Sequence, residues 1–144
     1  MCGIIGVFGK SASLIDISKH LSYLRDRGPD AQEILNVSPD LVMGATRLAM
    51  TDPLPRSNQP FQRDGYFIVF NGEIYNHKEI RLYLEKEFRI LFTTMSDTEV
   101  LLRCLEIFGE DATKFLNGMY AFAFFDSHQG RLLLGRDHLG KKPL

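Results

Sequence analysis

The chain begins with an apolar run, Cys2-Gly3-Ile4-Ile5-Gly6-Val7-Phe8-Gly9, that has no polar alternation. Small and branched residues in this pattern read as a β-strand over residues 3–9. Both of its faces are apolar, so the reading places it inside a covered sheet. Tyr66–Phe70 and Met119–Phe125 are apolar runs of the same kind, and Leu41–Leu48 is a further strand candidate. Asp126-Ser127-His128-Gln129-Gly130 is a turn, and Arg131–Arg136 supplies its hairpin partner.

Helical spacing falls between these strands. Leu14, Ile17, Leu21 and Leu24 follow a capping-box pattern at Ser13–Asp16, and Gly28-Pro29 stops that segment. Asn76 caps a helix lined by Ile80, Leu84 and Phe88, and Arg89–Phe92 reads as a short strand. Ser96-Asp97-Thr98-Glu99 is the best capping box, and it introduces Val100, Leu101, Cys104, Leu105 and Phe108 before Gly109. A short helix is predicted over Asp111–Leu116. Residues 51–60, with Pro53, Pro55 and Pro60, form a loop long enough to border a site. Strands in clusters with helices between them predict an α+β fold of mainly antiparallel sheets with helices outside.

At 144 residues and 44% hydrophobic content, one domain with a sizeable core is expected. A net charge of −1 gives no electrostatic reason for a nucleic-acid or anionic-membrane partner. No stretch approaches the ~20 apolar residues of a spanning helix, and no signal-like segment opens the chain, so a cytoplasmic location is expected. The histidines and cysteines show no metal-ligand spacing, which argues against a metal site. Cys104 lies on the apolar side of its helix and reads as core; with no Cys-x-x-Cys spacing, a redox pair with Cys2 is disfavoured.

Removal of Met1 would leave Cys2 at the N-terminus, with a thiol beside a free α-amine. That amine has an ordinary pKa of roughly 8, so it is the basic group most easily available as a neutral base near pH 7. A nucleophile beside a base is what covalent catalysis requires. Plainer roles exist for each polar residue near the strand ends. Cys2 can be a small core hydrophobe, and Asn71-Gly72 a tight hairpin turn between strands at 66–70 and 73–75. Arg47 can be a surface ion-pair partner, and Asp97 an acid favoured by a helix dipole.

Taken together and in order, Cys2-Gly3-Ile4-Ile5-Gly6, Arg27-Gly28-Pro29-Asp30, Arg47-Leu48, Asn58-Gln59-Pro60, Asn71-Gly72-Glu73-Ile74-Tyr75-Asn76, Ser96-Asp97-Thr98-Glu99 and Gly135-Arg136-Asp137 resemble the class II glutamine amidotransferase domain. Within that class they are similar to the N-terminal part of glutamine-hydrolysing asparagine synthetases. The resemblance implies an N-terminal-nucleophile hydrolase fold, an αββα four-layer sandwich, here cut short at its C-terminal end across residues 1–144. It implies that Cys2 is the nucleophile toward the side-chain amide of L-glutamine. The side chain of Asn71 and the backbone N–H of Gly72 would then form an oxyanion hole. Arg47 would bind the α-carboxylate, with Leu48, Ala49, Met50 and Thr51 lining the pocket. Asp97 would bind the α-ammonium, and Glu73 would define the polar wall. Arg27–Asp30 and Asn58–Pro60 would shape loops near the site. Arg136-Asp137 would fix a sheet edge or meet a following domain.

No cofactor is implied for these residues. ATP and magnesium would belong to a synthetase domain in the parent protein or a partner chain, and a homodimer is compatible with the family. Asp26 and Thr46 depart from the family pattern, which has histidine at or near each position. The departures bear on loop packing and on hydrogen bonds behind the site. The alternative to a glutaminase is an inactive domain that binds glutamine or a partner synthetase.

Overall fold

The computed structural model describes residues 2–144; the question of Met1 removal therefore lies outside the described residues. Among the described residues, seven strands form two antiparallel sheets. The first contains β1 (Gly3–Phe8), β2 (Ala31–Ser38) and β3 (Leu41–Arg47), in the order β1-β3-β2. The second contains β4 (Phe61–Arg63), β5 (Tyr66–Ile74), β6 (Gly118–Asp126) and β7 (Arg131–Arg136), in sequential order. Three helices accompany them: α1 (Ser18–Ser22), α2 (His77–Phe88) and α3 (Asp97–Phe108).

Strand alternation builds the layers. On β3, Leu41, Met43 and Ala45 face the second sheet, where Val69 and Phe125 complete a shared core. Its other face carries Gly44, which lies against Ile17 and Leu21 of the helical turns outside. On β5, Ile68, Phe70 and Ile74 point away from the first sheet into a larger core with Leu84, Leu101 and Leu105. Buried leucines such as these contribute about 1.5–3 kcal/mol each relative to exposure. The order is thus helical turns, sheet, sheet, helices, in agreement with the expected four-layer arrangement.

Several elements differ from their sequence reading. β1 is an edge strand, not a covered one: Phe8 is 63% exposed, while β3 holds the central place and is buried along its whole length. Apolar content alone does not decide which strand of a sheet is central. The segment after β1 is not one helix; it breaks into a 3-10 turn at Ala12–Leu14, the five-residue α1, and a 3-10 turn at Arg25–Arg27. Ser13 caps no helix: it lies inside the first 3-10 turn, α1 starts after Ile17 with no side-chain cap, and Asp16 makes only a local bond, its carboxylate accepting the Ser18 N–H at 2.8 Å.

β5 runs straight through Asn71-Gly72, which pair with Ala121 and Tyr120 of β6, so no turn forms there. Residues Arg89–Phe92 form no strand, because Arg89 ends α2 in the left-handed region at φ 55°. β2 and β4 have no counterpart in the sequence reading; β2 has no fully buried residue and its apolar residues do not alternate, and β4 is only three residues long.

Candidate active site

Antiparallel register brings the N-terminus to its neighbours. Gly3 pairs with Thr46, which sets Cys2 beside Arg47 at the end of β3. Thr46 stitches this junction: its hydroxyl accepts the Gly3 N–H at 3.0 Å and donates to the Leu24 carbonyl at 3.0 Å. The residue that departs from the family pattern here thus carries a hydrogen-bonding job of its own. Asp26, the other departure, is exposed. Arg27 reaches back to the Cys2 carbonyl at 3.3 Å. Gly28 is pressed onto the β3 backbone, where an added Cβ would stand 2.5 Å from the Arg47 nitrogen; no other residue fits. Asp30 completes the clamp, receiving the Ala49 N–H on its carboxylate at 2.8 Å.

A cleft of about 150 Å³ opens where β3 and β5 meet the start of α3. It gathers Cys2, Arg47, Leu48, Met50, Thr51, Gly72, Glu73 and Asp97. Two of the expected residues are not on its wall. Ala49 is turned into the loop clamp with Asp30. Asn71 lies on the opposite face of β5 from Phe70 and Gly72, as strand alternation requires. It borders a separate apolar groove of about 560 Å³ between the sheets, and its Oδ1 is buried without a hydrogen-bond partner. Gly72 is confined by β6, because a Cβ there would collide with the Met119 carbonyl.

The charged residues of the cleft are held in different ways. Arg47 is 6% exposed, yet all its acceptors are neutral. Its guanidinium donates to the Leu54 carbonyl at 3.0 Å, to Asn58 Oδ1 at 3.0 Å and to the Asp52 carbonyl. No carboxylate pairs with it among the described residues, so its positive charge is fixed in place but not neutralised. Asn58 is itself held by Glu33 at 2.6 Å.

Asp97 is also buried, and burial above all pushes its carboxyl above the usual carboxylate range. The Ile74 N–H at 3.1 Å and the Thr51 hydroxyl at 3.2 Å oppose that shift without cancelling it. A positive and a negative side chain therefore share one small cleft with Cys2, neither of them in an ion pair among the described residues; the charge of His77 acts on Asp97 without cancelling the raise. This arrangement suits a zwitterionic head group with a reactive chain directed at a thiol.

Asp52 supports the cleft from behind and Gln59 lines it; the sequence reading singles out neither individually. Gln59 Oε1 accepts the Phe70 N–H at 2.6 Å, taking over the edge of β5 beyond the last β4 pair at Phe61 and Ile68. The motif Asn58-Gln59-Pro60 flagged the loop but not this hydrogen bond. Cys104 lies in the large core, with its thiol pushed up to about 12 by burial. Arg136 and Asp137 bind the C-terminal segment: Asp137 accepts N–H groups from Tyr120, Leu139, Lys141 and Lys142.

A family model described as a glutamine amidotransferase domain matches residues 1–144. Asparagine synthetase B, glutamine-hydrolyzing, of Escherichia coli K12 is 39% identical over 150 residues, covering 100% of this chain and 26% of that protein. Asparagine synthetase 1, glutamine-hydrolyzing, of Bacillus subtilis 168 is 36% identical over 152 residues, covering 100% of this chain and 24% of its own length. The chain thus spans about a quarter of these curated relatives. Among solved structures, glutamine phosphoribosylpyrophosphate amidotransferase from B. subtilis, complexed with ADP and GMP, superposes with a TM-score of 0.75 at 22% identity. It covers 94% of this chain and 37% of that one. At that identity the likeness speaks to the fold.

Proposed function

The chain belongs to the glutamine amidotransferase domain family, and from that premise we propose that its cleft hydrolyses L-glutamine to glutamate and ammonia, with Cys2 as nucleophile. The observation that carries the reading is the convergence of Cys2, Arg47, Gly72 and Asp97, from separate elements, on one cleft of about 150 Å³.

The roles follow from chemistry. Arg47 receives the α-carboxylate, for which its unneutralised, fixed guanidinium is suited. Asp97 receives the α-ammonium, which supplies the counter-charge that burial withholds. The thiolate of Cys2 attacks the side-chain amide carbon, and the oxygen that becomes negative is met by the Gly72 N–H, while the Asn71 side chain, on the other face of β5, is not placed to reach it. Such donors are typically worth about 3–4 kcal/mol of barrier. The α-amine of a processed Cys2 takes the thiol proton and returns it to departing ammonia. Water then cleaves the thioester and releases glutamate. Leu48, Met50 and Thr51 frame the head group, and Glu73 forms the exposed rim.

The names of the relatives extend the reading to ATP-dependent synthesis of asparagine from aspartate, with the ammonia as nitrogen donor. ATP and magnesium would be held by a synthetase domain, in the same protein or a partner chain. Among the described residues no group of three or more His, Cys, Asp or Glu could hold a metal ion. A cytoplasmic location and a homodimer accompany the proposal.

The test is glutamate release from glutamine by protein whose N-terminal residue is verified as Cys2 by mass spectrometry. Turnover that is abolished in Cys2→Ala is expected. Equal rates in the two proteins, or none in either, would overturn the assignment.

A further inference from the structure

The head-group site depends on two side chains that arrive from opposite directions. Arg47 ends β3, and Asp97 opens α3, fifty residues later. Nothing in β-sheet pairing links them, since the α3 entry belongs to neither sheet. One residue bonds Arg47 and the segment that leads into Asp97. The backbone carbonyl of Asp52 accepts the guanidinium Nη2 of Arg47. Its side-chain Oδ2 accepts the Met95 N–H at 2.8 Å, two residues before Asp97. Its neighbour Thr51 donates a hydroxyl directly to Asp97 Oδ1 at 3.2 Å.

On the proposed reading that Arg47 and Asp97 hold the two charges of an amino-acid head, we infer that Asp52 is a positioning residue that sets the distance between them. The loop after β3 is thereby a brace across the cleft, and amino-acid recognition is its product.

The environment of Asp52 supports a side chain kept ionised for this purpose. It is 6% exposed. The Met95 N–H, foremost, holds its carboxyl below the usual range, and the Leu54 N–H at 3.4 Å and Arg56 at 3.1 Å add to that. Arg56 is half exposed, so it is the lesser partner. A carboxylate offers two oxygens, one for Leu54 on its own loop and one for Met95 across the cleft. An amide has only one acceptor oxygen and a methyl has none. The order of effect is therefore Asp52→Ala greater than Asp52→Asn.

The experiment compares reagents with and without an amino-acid head on N-terminally processed protein. Both variants should raise the KM for glutamine with kcat close to that of the parent, because the interaction removed serves binding and not the chemical step. The increase should be about tenfold or more for Asp52→Ala, the scale of one lost hydrogen bond to a charged group. Alkylation of Cys2 by a glutamine-shaped diazoketone should slow in parallel. Alkylation by iodoacetamide, which has no head, should stay within about twofold. Peptide mapping assigns the label to Cys2; Cys104, with its thiol pushed up to about 12, stays silent.

An unchanged KM, or equal slowing of both reagents, would overturn the inference, the second because it signals general disruption. Parent protein that turns over no glutamine and shows no preference for the headed reagent would instead remove the functional reading beneath it. The two failures are thus told apart.

Discussion

Two carboxylates begin α3, two residues apart, and they are treated in opposite ways. Glu99 is fully buried, and burial is the largest influence on it, acting to raise its pKa. That influence is outweighed. The backbone N–H groups and hydroxyls of Thr93 and Thr94 all donate to it, and Arg63 reaches it at 2.6 Å, so its carboxyl is held below the usual range. Asp97 has one N–H, one hydroxyl and no cationic side chain bonded to it, and it remains raised.

The difference separates a structural acid from one with capacity to spare. Glu99 has its needs met by the protein, so a ligand could add little. Asp97 carries an unmet demand for positive charge, which a ligand ammonium can supply. The capping-box pattern marks both residues alike. It does not say that Glu99 turns to the preceding loop and leaves the cap to Ser96 alone, at 3.3 Å from the Glu99 N–H.

This contrast predicts a clean division of mutant effects. The largest is expected from Asp97→Asn. Its glutamine kcat/KM should fall about 100-fold, from loss of a charge-assisted hydrogen bond worth roughly 1.5–3 kcal/mol. Its stability at neutral pH, read from the urea midpoint, should be equal to or above that of the parent. Loss of stability with full activity would erase the distinction between the two acids.

Next comes Glu99→Gln. Unfolding should become easier by about 2–3 kcal/mol, because a caged carboxylate with several donors is replaced by a group that cannot accept them all. Glutamine hydrolysis per folded molecule should stay within about twofold of the parent. A specific loss of kcat with unaltered stability would place Glu99 in the chemistry.

The smallest effect, and the sharpest in sign, is the pH dependence of these stability differences. A lowered carboxyl stabilises the fold above its unfolded pKa and loses that contribution as pH falls through its folded value. The gap between parent and Glu99→Gln should therefore shrink on acidification below the ordinary glutamate value of 4.5. A raised carboxyl does the reverse, since the folded state then binds more protons than the unfolded one. The parent should lose ground to Asp97→Asn as pH rises above 3.8, the ordinary aspartate value, and the difference should vanish below it. Urea titrations across that range check both slopes; parallel slopes would contradict the environments described for the two acids.

How far the sequence reveals such distinctions varies along the chain. β3, β5, β6, β7, α2 and α3 are all marked by apolar periodicity, because burial against a core imposes that pattern; Ser96 caps α3 as expected, whereas the Asn76 side chain turns to Phe115 and Asn117 and makes no cap bond to α2. The segment after β1 mimics a helix in spacing, yet breaks into turns. Its apolar residues need only cover one face of β3, and Ile17 and Leu21 do that from a five-residue helix. Asn71-Gly72 reads locally as a turn, but pairing with β6 overrides that preference. Asp52 and Gln59 are ordinary loop residues until the strands and helix they brace are brought together.

By itself, the sequence determined the kinds of element and the inventory of chemistry: a thiol at position 2, a forked cation, two acids after a cap, and a glycine at position 72. These are local properties, fixed by side-chain type and short-range spacing. Only the tertiary structure decided that β1 would be an edge, that Asn71 and Gly72 would open onto opposite faces of one strand, and that Asp97 would be left in demand where Glu99 is satisfied. Those outcomes depend on burial and on which donors reach the buried group, Thr93 and Thr94 from the adjoining loop and Arg63 from another strand in the case of Glu99. Solvation and hydrogen bonding of that kind are settled by packing, and no local spacing encodes them.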